Sequence, residues 1–265
     1  MTSDPDFAPI SAFYASLNET VPDDIALKAD HYPYHRRVVV IVLFDLSSSM
    51  SFLIAGRRPI DLLNKRLREW LPSIRKKGNG ELRDAEFAVI TFSGHGVRVI
   101  TGDRSRPRER AHEDGGAFVP AALLDFGVLE ASGTTPMVEA INCALDLGEA
   151  RVRYLADQSL PGVQVRILMF TDGEPNERDL PPGAWQAAVA RVFAARERGP
   201  VQFFALGTPD ADPTVLRELA GQEGYIPLGQ FDFARLLDII LVASTVPDPY
   251  KTIREQFGWE DRGRG

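Results

Sequence analysis

Cysteine is all but missing from this chain of 265 residues. Cys143 stands alone, which excludes an intrachain disulfide and any cysteine-rich zinc site. Histidine is scarce too: there are four, and none sits beside a serine in a strand-end motif, so no nucleophile–base pair is visible. His31 and His35 are four apart, but Tyr32, Pro33 and Tyr34 between them do not read as a clean helix, and packing or exposure is the expected role. No apolar run approaches the roughly 20 residues that a membrane helix needs; the longest candidate, Leu236 to Ala243, is interrupted by Asp238. Basic charge is in deficit, with a net charge of −7 and a pI near 5.2, which gives no footprint for nucleic acid. The opening Met1-Thr2-Ser3-Asp4-Pro5-Asp6 has neither the basic start nor the apolar stretch of a secretory signal, so the cytoplasm is the expected compartment. The lysine motif of P-loop nucleotide hydrolysis is absent, and so are internal repeats and low-complexity tracts.

What is present is an ordinary soluble composition, 44% hydrophobic and 25% charged, sufficient for one large α/β core. Residues 1–36, with Pro5, Pro9, Pro22 and Pro33 among scattered acids, read as an N-terminal extension with a short helix around Ser11 to Leu17. Strands are expected at Arg37 to Phe44, Glu86 to Ser93, Gly96 to Thr101, Val163 to Phe170, Val201 to Leu206 and Gly224 to Leu228. Helices are expected at Pro59 to Arg75, Pro136 to Ala156, Gly183 to Arg198, Thr214 to Ala220 and Phe231 to Ala243. Strands alternating with helices imply a doubly wound, mostly parallel six-stranded sheet with helices on both faces, and the second and third strands form its antiparallel edge. Gly102 to Gly116, with its arginine cluster from Arg104 to Arg110, reads as an exposed charged loop. The domain therefore runs over 37–244 and leaves a tail at 245–265, where Tyr250, Ile253 and Phe257 would share one helical face. That face either packs back on the domain or docks a partner.

The chemistry concentrates at strand ends. Val38-Val39-Val40-Ile41-Val42-Leu43-Phe44 is a buried-strand run that stops at Asp45-Leu46-Ser47-Ser48-Ser49. Alternation lets Asp45, Ser47 and Ser49 point one way, at the carboxyl end where open α/β sheets place ligands. Val163 to Phe170 ends likewise in Thr171-Asp172-Gly173, and between the two lies Gly133-Thr134-Thr135-Pro136, a glycine-led turn into a helix. Three loops thus offer oxygen to a hard divalent cation. Taken singly, Asp45-Ser47-Ser49 could be an N-cap cluster and Thr171-Asp172-Gly173 an ordinary turn; it is the combination that points to a metal.

These three motifs, in this order, resemble the metal-ion-dependent adhesion site of the von Willebrand factor A (VWA) domain, over roughly Arg37 to Ser244. The resemblance implies that Ser47, Ser49 and Thr135 contact Mg²⁺, with Mn²⁺ or Ca²⁺ as alternatives, while Asp45 and Asp172 act from behind through water. The turn departs from the more frequent Gly-Gly-Thr, which sets Thr134 in competition with Thr135; the Pro that follows favours Thr135. Gly56-Arg57-Arg58-Pro59-Ile60-Asp61-Leu62-Leu63-Asn64 and Phe87-Ala88-Val89-Ile90-Thr91-Phe92 further resemble bacterial TerY-like proteins of the tellurium-resistance group. That likeness implies a stress-response or signalling setting with Ser/Thr kinase and PP2C-type phosphatase partners.

Function follows as an expectation: a non-catalytic, metal-dependent protein-binding module. With both carboxylates behind the metal, the ion keeps its charge and an open position attracts an acidic residue from a protein partner. One competing reading is a metal-dependent phosphatase-like hydrolase with Asp45 as nucleophile, but position 47 is Ser where a second aspartate would stand and no lysine is well placed. Another is an adaptor of an AAA-type ATPase.

Overall fold

The computed structural model describes residues 37–102, 116–160, 162–173, 175, 180–230 and 232–257. The expected N-terminal extension, the arginine cluster of the charged loop and Trp259 lie outside these residues. Chain contacts divide Met1–His35 from Arg36–Gly265, and all of the described strands and helices belong to the second unit.

The strands are β1 (Val38–Asp45), β2 (Ala85–Ser93), β3 (Gly96–Val99), β4 (Val119–Pro120), β5 (Gln164–Thr171), β6 (Val201–Gly207) and β7 (Tyr225–Pro227). The helices are α1 (Pro59–Gly78), α2 (Met137–Asp157), α3 (Ala184–Arg198), α4 (Pro213–Gly224), α5 (Phe233–Thr245) and α6 (Pro249–Phe257), with short 3₁₀ turns at Ser48–Ser51 and Ala121–Leu123. The sheet runs β3-β2-β1-β5-β6-β7, parallel except for β3. The two-residue β4 adds a seventh strand, antiparallel to the start of β2. The fold is thus the doubly wound α/β sheet, and β1 lies beside β5, where connections depart in opposite directions.

Alternation along the strands builds two cores. Val39, Ile41 and Leu43 face α2, α3 and α4, while Val40, Val42 and Phe44 face α1, α5 and α6. Covered on both faces, β1 and β5 need continuous apolar runs. β3 stops earlier than expected, at Val99, because the Thr101 hydroxyl replaces the ladder: it accepts from Val89 N–H at 2.9 Å and donates to Ala117 C=O at 2.8 Å. α1 runs three residues past the expected Arg75, with Arg75, Lys76 and Lys77 in its last turn, where cations suit the helix dipole. Gly78 ends it against Ala122, whose nitrogen would lie 2.2 Å from any Cβ there.

The tail folds onto the domain. Ile253 of α6 is fully buried in the core on the α5 face of the sheet, and the Tyr250 ring lies 4.5 Å from that of Phe204. The Tyr250 hydroxyl accepts from Phe203 N–H at 3.1 Å, and Arg235 donates to Phe257 C=O at 3.0 Å. Buried Arg166 secures the corner between α5 and α6 by donating to the carbonyls of Ala243 and Pro247. Burial lowers its pKa to about 10, so it stays cationic at neutral pH. No helix among the described residues is long and apolar enough to cross a membrane.

Candidate metal centre

Asp45 ends β1 fully buried, and both of its oxygens are engaged. Oδ1 accepts from Ser47 N–H at 3.0 Å, and Oδ2 accepts from the Thr171 hydroxyl at 2.6 Å. The first bond closes a tight Asx-type turn that sends the chain into the Ser48–Ser51 3₁₀ turn. The second spans β1 and β5 one position beyond the Phe44–Phe170 pair. The Ser47 and Ser49 hydroxyls lie 2.9 Å apart, and Ser47 Oγ lies 3.5 Å from Asp172 Oδ1.

The third loop is fastened by backbone. Ser132 N–H donates to Leu46 C=O at 2.8 Å, Gly94 N–H to Ser132 C=O at 2.7 Å and Ser48 N–H to Gly133 C=O at 3.0 Å. Gly133 has a φ of +61°, and a Cβ on it would come within 2.5 Å of Gly94 Cα, so both conformation and space demand glycine there. This clamp sets Thr135 beside the other two loops: a Cβ built on Gly173 would lie 3.7 Å from Thr135 Oγ1 and 3.9 Å from Asp45 Oδ2. Thr134 is exposed and Thr135 half-buried, so the geometry favours Thr135 as the hydroxyl that faces the centre.

All five expected residues, Asp45, Ser47, Ser49, Thr135 and Asp172, therefore converge at the carboxyl end of β1 and β5. The electrostatics are unbalanced. Burial pushes Asp45 up to about 6; the Thr171 hydroxyl opposes the rise, and the neighbouring Asp172 charge adds to it. Burial raises Asp172 as well, opposed by the Ser49 hydroxyl. Two adjoining carboxylates, three hydroxyls and no nitrogen or sulfur donor form a set that fits a hard divalent cation. Among the described residues no group of three or more His, Cys, Asp or Glu gathers as a metal-binding cluster. Half-buried Cys143 on α2 is remote in kind from such chemistry; burial pushes its thiol up to about 12.

The sequence alone points to Asp172 and passes over the neighbouring Thr171 hydroxyl. A signal for it is available in principle, because a β-branched hydroxyl that ends one central strand can meet a carboxylate that ends the adjacent one.

No family profile and no curated protein matches the chain. Solved structures do. Proximal thread matrix protein 1 from the mussel byssus superposes with a TM-score of 0.52 at 17% identity, over 79% of this chain and 48% of that one. The pilus adhesin SpaC from Lactobacillus rhamnosus GG gives a TM-score of 0.52 at 16% identity, over 83% of this chain and 31% of that one. A fainter likeness, TM-score 0.45 at 12% identity, is to the SpRpn10 VWA domain, over 75% of this chain and 94% of that one. The first two establish a shared fold. This chain spans about half the length of the byssus protein and a third of the adhesin.

Proposed function

We propose that the chain is a metal-dependent protein-binding module of the VWA type, in which Ser47, Ser49 and Thr135 contact one divalent cation and Asp45 and Asp172 support it. Mg²⁺ is the natural ion for this all-oxygen set, and Mn²⁺ or Ca²⁺ would also be accepted. The observation that carries the reading is the pairing of two buried or half-buried carboxylates without a cationic side chain, among the described residues, in their hydrogen-bond partners. Because both oxygens of Asp45 already accept hydrogen bonds, the ion would draw its direct contacts from neutral hydroxyls and keep most of its charge. A carboxylate from a protein partner then completes the coordination. The same engagement of Asp45 counts against its use as a phosphatase-like nucleophile, which needs a free, exposed oxygen.

Calorimetry with Mg²⁺ and Mn²⁺ on the wild type and on Ser47→Ala tests the assignment. Binding lost or greatly weakened in the variant is the expected result; equal binding by both proteins sinks it. The finer reading places the module in the cytoplasm of a bacterial stress-response system of the TerY-like, tellurium-resistance kind, with a Ser/Thr kinase or PP2C-type phosphatase supplying the acidic residue. Only the helix-opening segment Gly56 to Asn64 and the β2 sequence support it. Mg²⁺-dependent association with a kinase or phosphatase encoded beside this chain is its test.

A further inference from the structure

Directly after the Ser47–Ser51 segment the chain makes a small hairpin. Ile54 and Arg57 exchange both backbone hydrogen bonds, Ile54 N–H to Arg57 C=O at 2.9 Å and Arg57 N–H to Ile54 C=O at 3.1 Å. Ala55 and Gly56 form its tip with φ of 50° and 78°, the two positive values of a type I′ turn. Alanine is a costly choice for such a turn, so the conformation is imposed by the surroundings. The hairpin presents two large apolar side chains to solvent: Phe52 is 63% exposed and Leu53 72%. Arg57, also exposed, has no ion-pair partner among the described residues, whereas its neighbour Arg58 is held by Asp61.

The hairpin is joined to the metal centre. Phe52 N–H donates to Ser49 C=O at 3.1 Å, and Ser51 Oγ donates to Ala131 C=O at 3.2 Å, on the loop that leads to Thr135. That loop carries Val128, 73% exposed, and is itself anchored by Asn64, which bonds both the N–H and the C=O of Leu129 at 2.9 Å. Exposed apolar groups on a mobile loop would mean little; here they stand on backbone fixed to two of the three ligand loops. Contiguous exposed apolar residues beside a polar centre mark an interaction surface.

We infer that the Phe52–Arg57 hairpin is the apolar half of the docking surface and that it selects, among proteins able to offer a carboxylate to the metal, an acidic segment with large apolar residues next to its metal-binding Asp or Glu. The inference rests on the proposed metal-binding function. The carboxylate fills the open coordination position, the apolar neighbours cover Phe52 and Leu53, and a further acid meets Arg57. An ion alone would accept any carboxylate; the hairpin supplies discrimination, since apolar contact rewards one partner and leaves a polar one with stranded groups.

The probe is a displayed library of random peptides, selected on the wild-type protein in Mg²⁺ and eluted with EDTA. Selected peptides are expected to share an acidic residue adjoining a large apolar one. They should bind a Phe52→Ser/Leu53→Ser variant at least tenfold more weakly, while calorimetry shows its Mg²⁺ affinity unchanged. Selection of acidic peptides without an apolar neighbour, equal binding to the variant, or no enrichment at all would overturn the inference. A concentration-dependent dimer of the wild type that the variant abolishes would also overturn it, by assigning the hairpin to self-association. Failure of the metal reading looks different: Mg²⁺ would give no calorimetric signal on the wild type, and whatever peptides it held would stay bound through the EDTA wash.

Discussion

Glu86 and Asp45 are carboxylates sunk into the same sheet at opposite ends of its central strands, and they are treated in opposite ways. Glu86, at the start of β2, is met by two guanidiniums: Arg151 Nη2 at 2.7 Å with Nε at 2.8 Å, and Arg37 Nη1 at 3.2 Å. Arg151 is held in turn by the faces of Phe118 and Tyr154, 5.4 and 4.8 Å from their ring centroids. Among the described residues Asp45, at the end of β1, is met by the Ser47 amide, by the hydroxyls of Thr171 and Ser47 and by a second carboxylate. A buried charge matched by cations completes itself within the chain, whereas one matched by neutral donors is completed from outside. The amino end of the sheet is therefore closed by its own ion pairs, and the carboxyl end is where the proposed function seats a ligand, though the same kind of group occupies both.

The comparison breaks most easily at Arg151. Arg151→Met keeps an apolar stem for the two rings but leaves Glu86 with Arg37 alone, whose side chain is 29% exposed. Unfolding in urea should show a loss of about 3 kcal/mol, the usual consequence of removing one partner from a buried pair. A loss under about 1 kcal/mol would mean that Glu86 is satisfied some other way, and the contrast with Asp45 would fail.

At Asp45 the sign reverses. Its folded-state pKa, about 6, lies above the ordinary 3.8, so the folded metal-free protein holds that proton more tightly than the unfolded chain does. The resulting stability is complete below pH about 4 and disappears as the pH rises through about 6. Asp45→Asn should therefore make the metal-free protein more stable at pH 7, by about 1–3 kcal/mol, and flatten its stability between pH 4 and 7. The same variant should lose the gain of about 2.7 kcal/mol expected for the wild type in Mg²⁺ at a hundred times its dissociation constant. Thermal unfolding with Mg²⁺ or EDTA at several pH values measures all of this. A variant less stable than the wild type at pH 7 without metal would make Asp45 as structural as Glu86.

Much of this contrast is legible in the sequence, and the reason is local. Apolar runs that end in oxygen-bearing residues identify both a central strand and its ligand end, which is why Asp45, Ser47, Ser49, Thr135 and Asp172 can all be picked out and why β1 can be placed beside β5. The spacing of Tyr250, Ile253 and Phe257 likewise announces a helical face, but only the surroundings of Ile253 decide that α6 packs inward. The structural pair is invisible: Glu86 reads as one more strand residue and Arg151 as one more charge on a helix, and their meeting across 65 positions leaves no local trace. Phe52 and Leu53 pass unnoticed for the opposite reason, since apolar residues beside a helix start are expected to be buried.

The smallest expected effect isolates the hydroxyl that takes the place of a cation beside Asp45. Thr171 Oγ1 donates to Oδ2 at 2.6 Å while accepting from Gly173 N–H at 3.1 Å, so one side chain joins the carboxylate to the loop that carries Asp172. Thr171→Val keeps the shape and removes the donor. A hydrogen bond to an ionised acceptor is worth about 1.5–3 kcal/mol, and a neutral one about 1. The bond lowers the Asp45 pKa by favouring the anion, so its removal drives that pKa higher still. The expected loss is thus about 1.5 kcal/mol at pH 7, shrinking toward pH 4 as Asp45 takes up its proton in both proteins. Thr171→Ser, which retains the donor, should restore most of it. Urea titrations of the three proteins at pH 4 and 7 decide the matter, because a penalty that did not change with pH would come from lost packing at the strand end and not from the carboxylate.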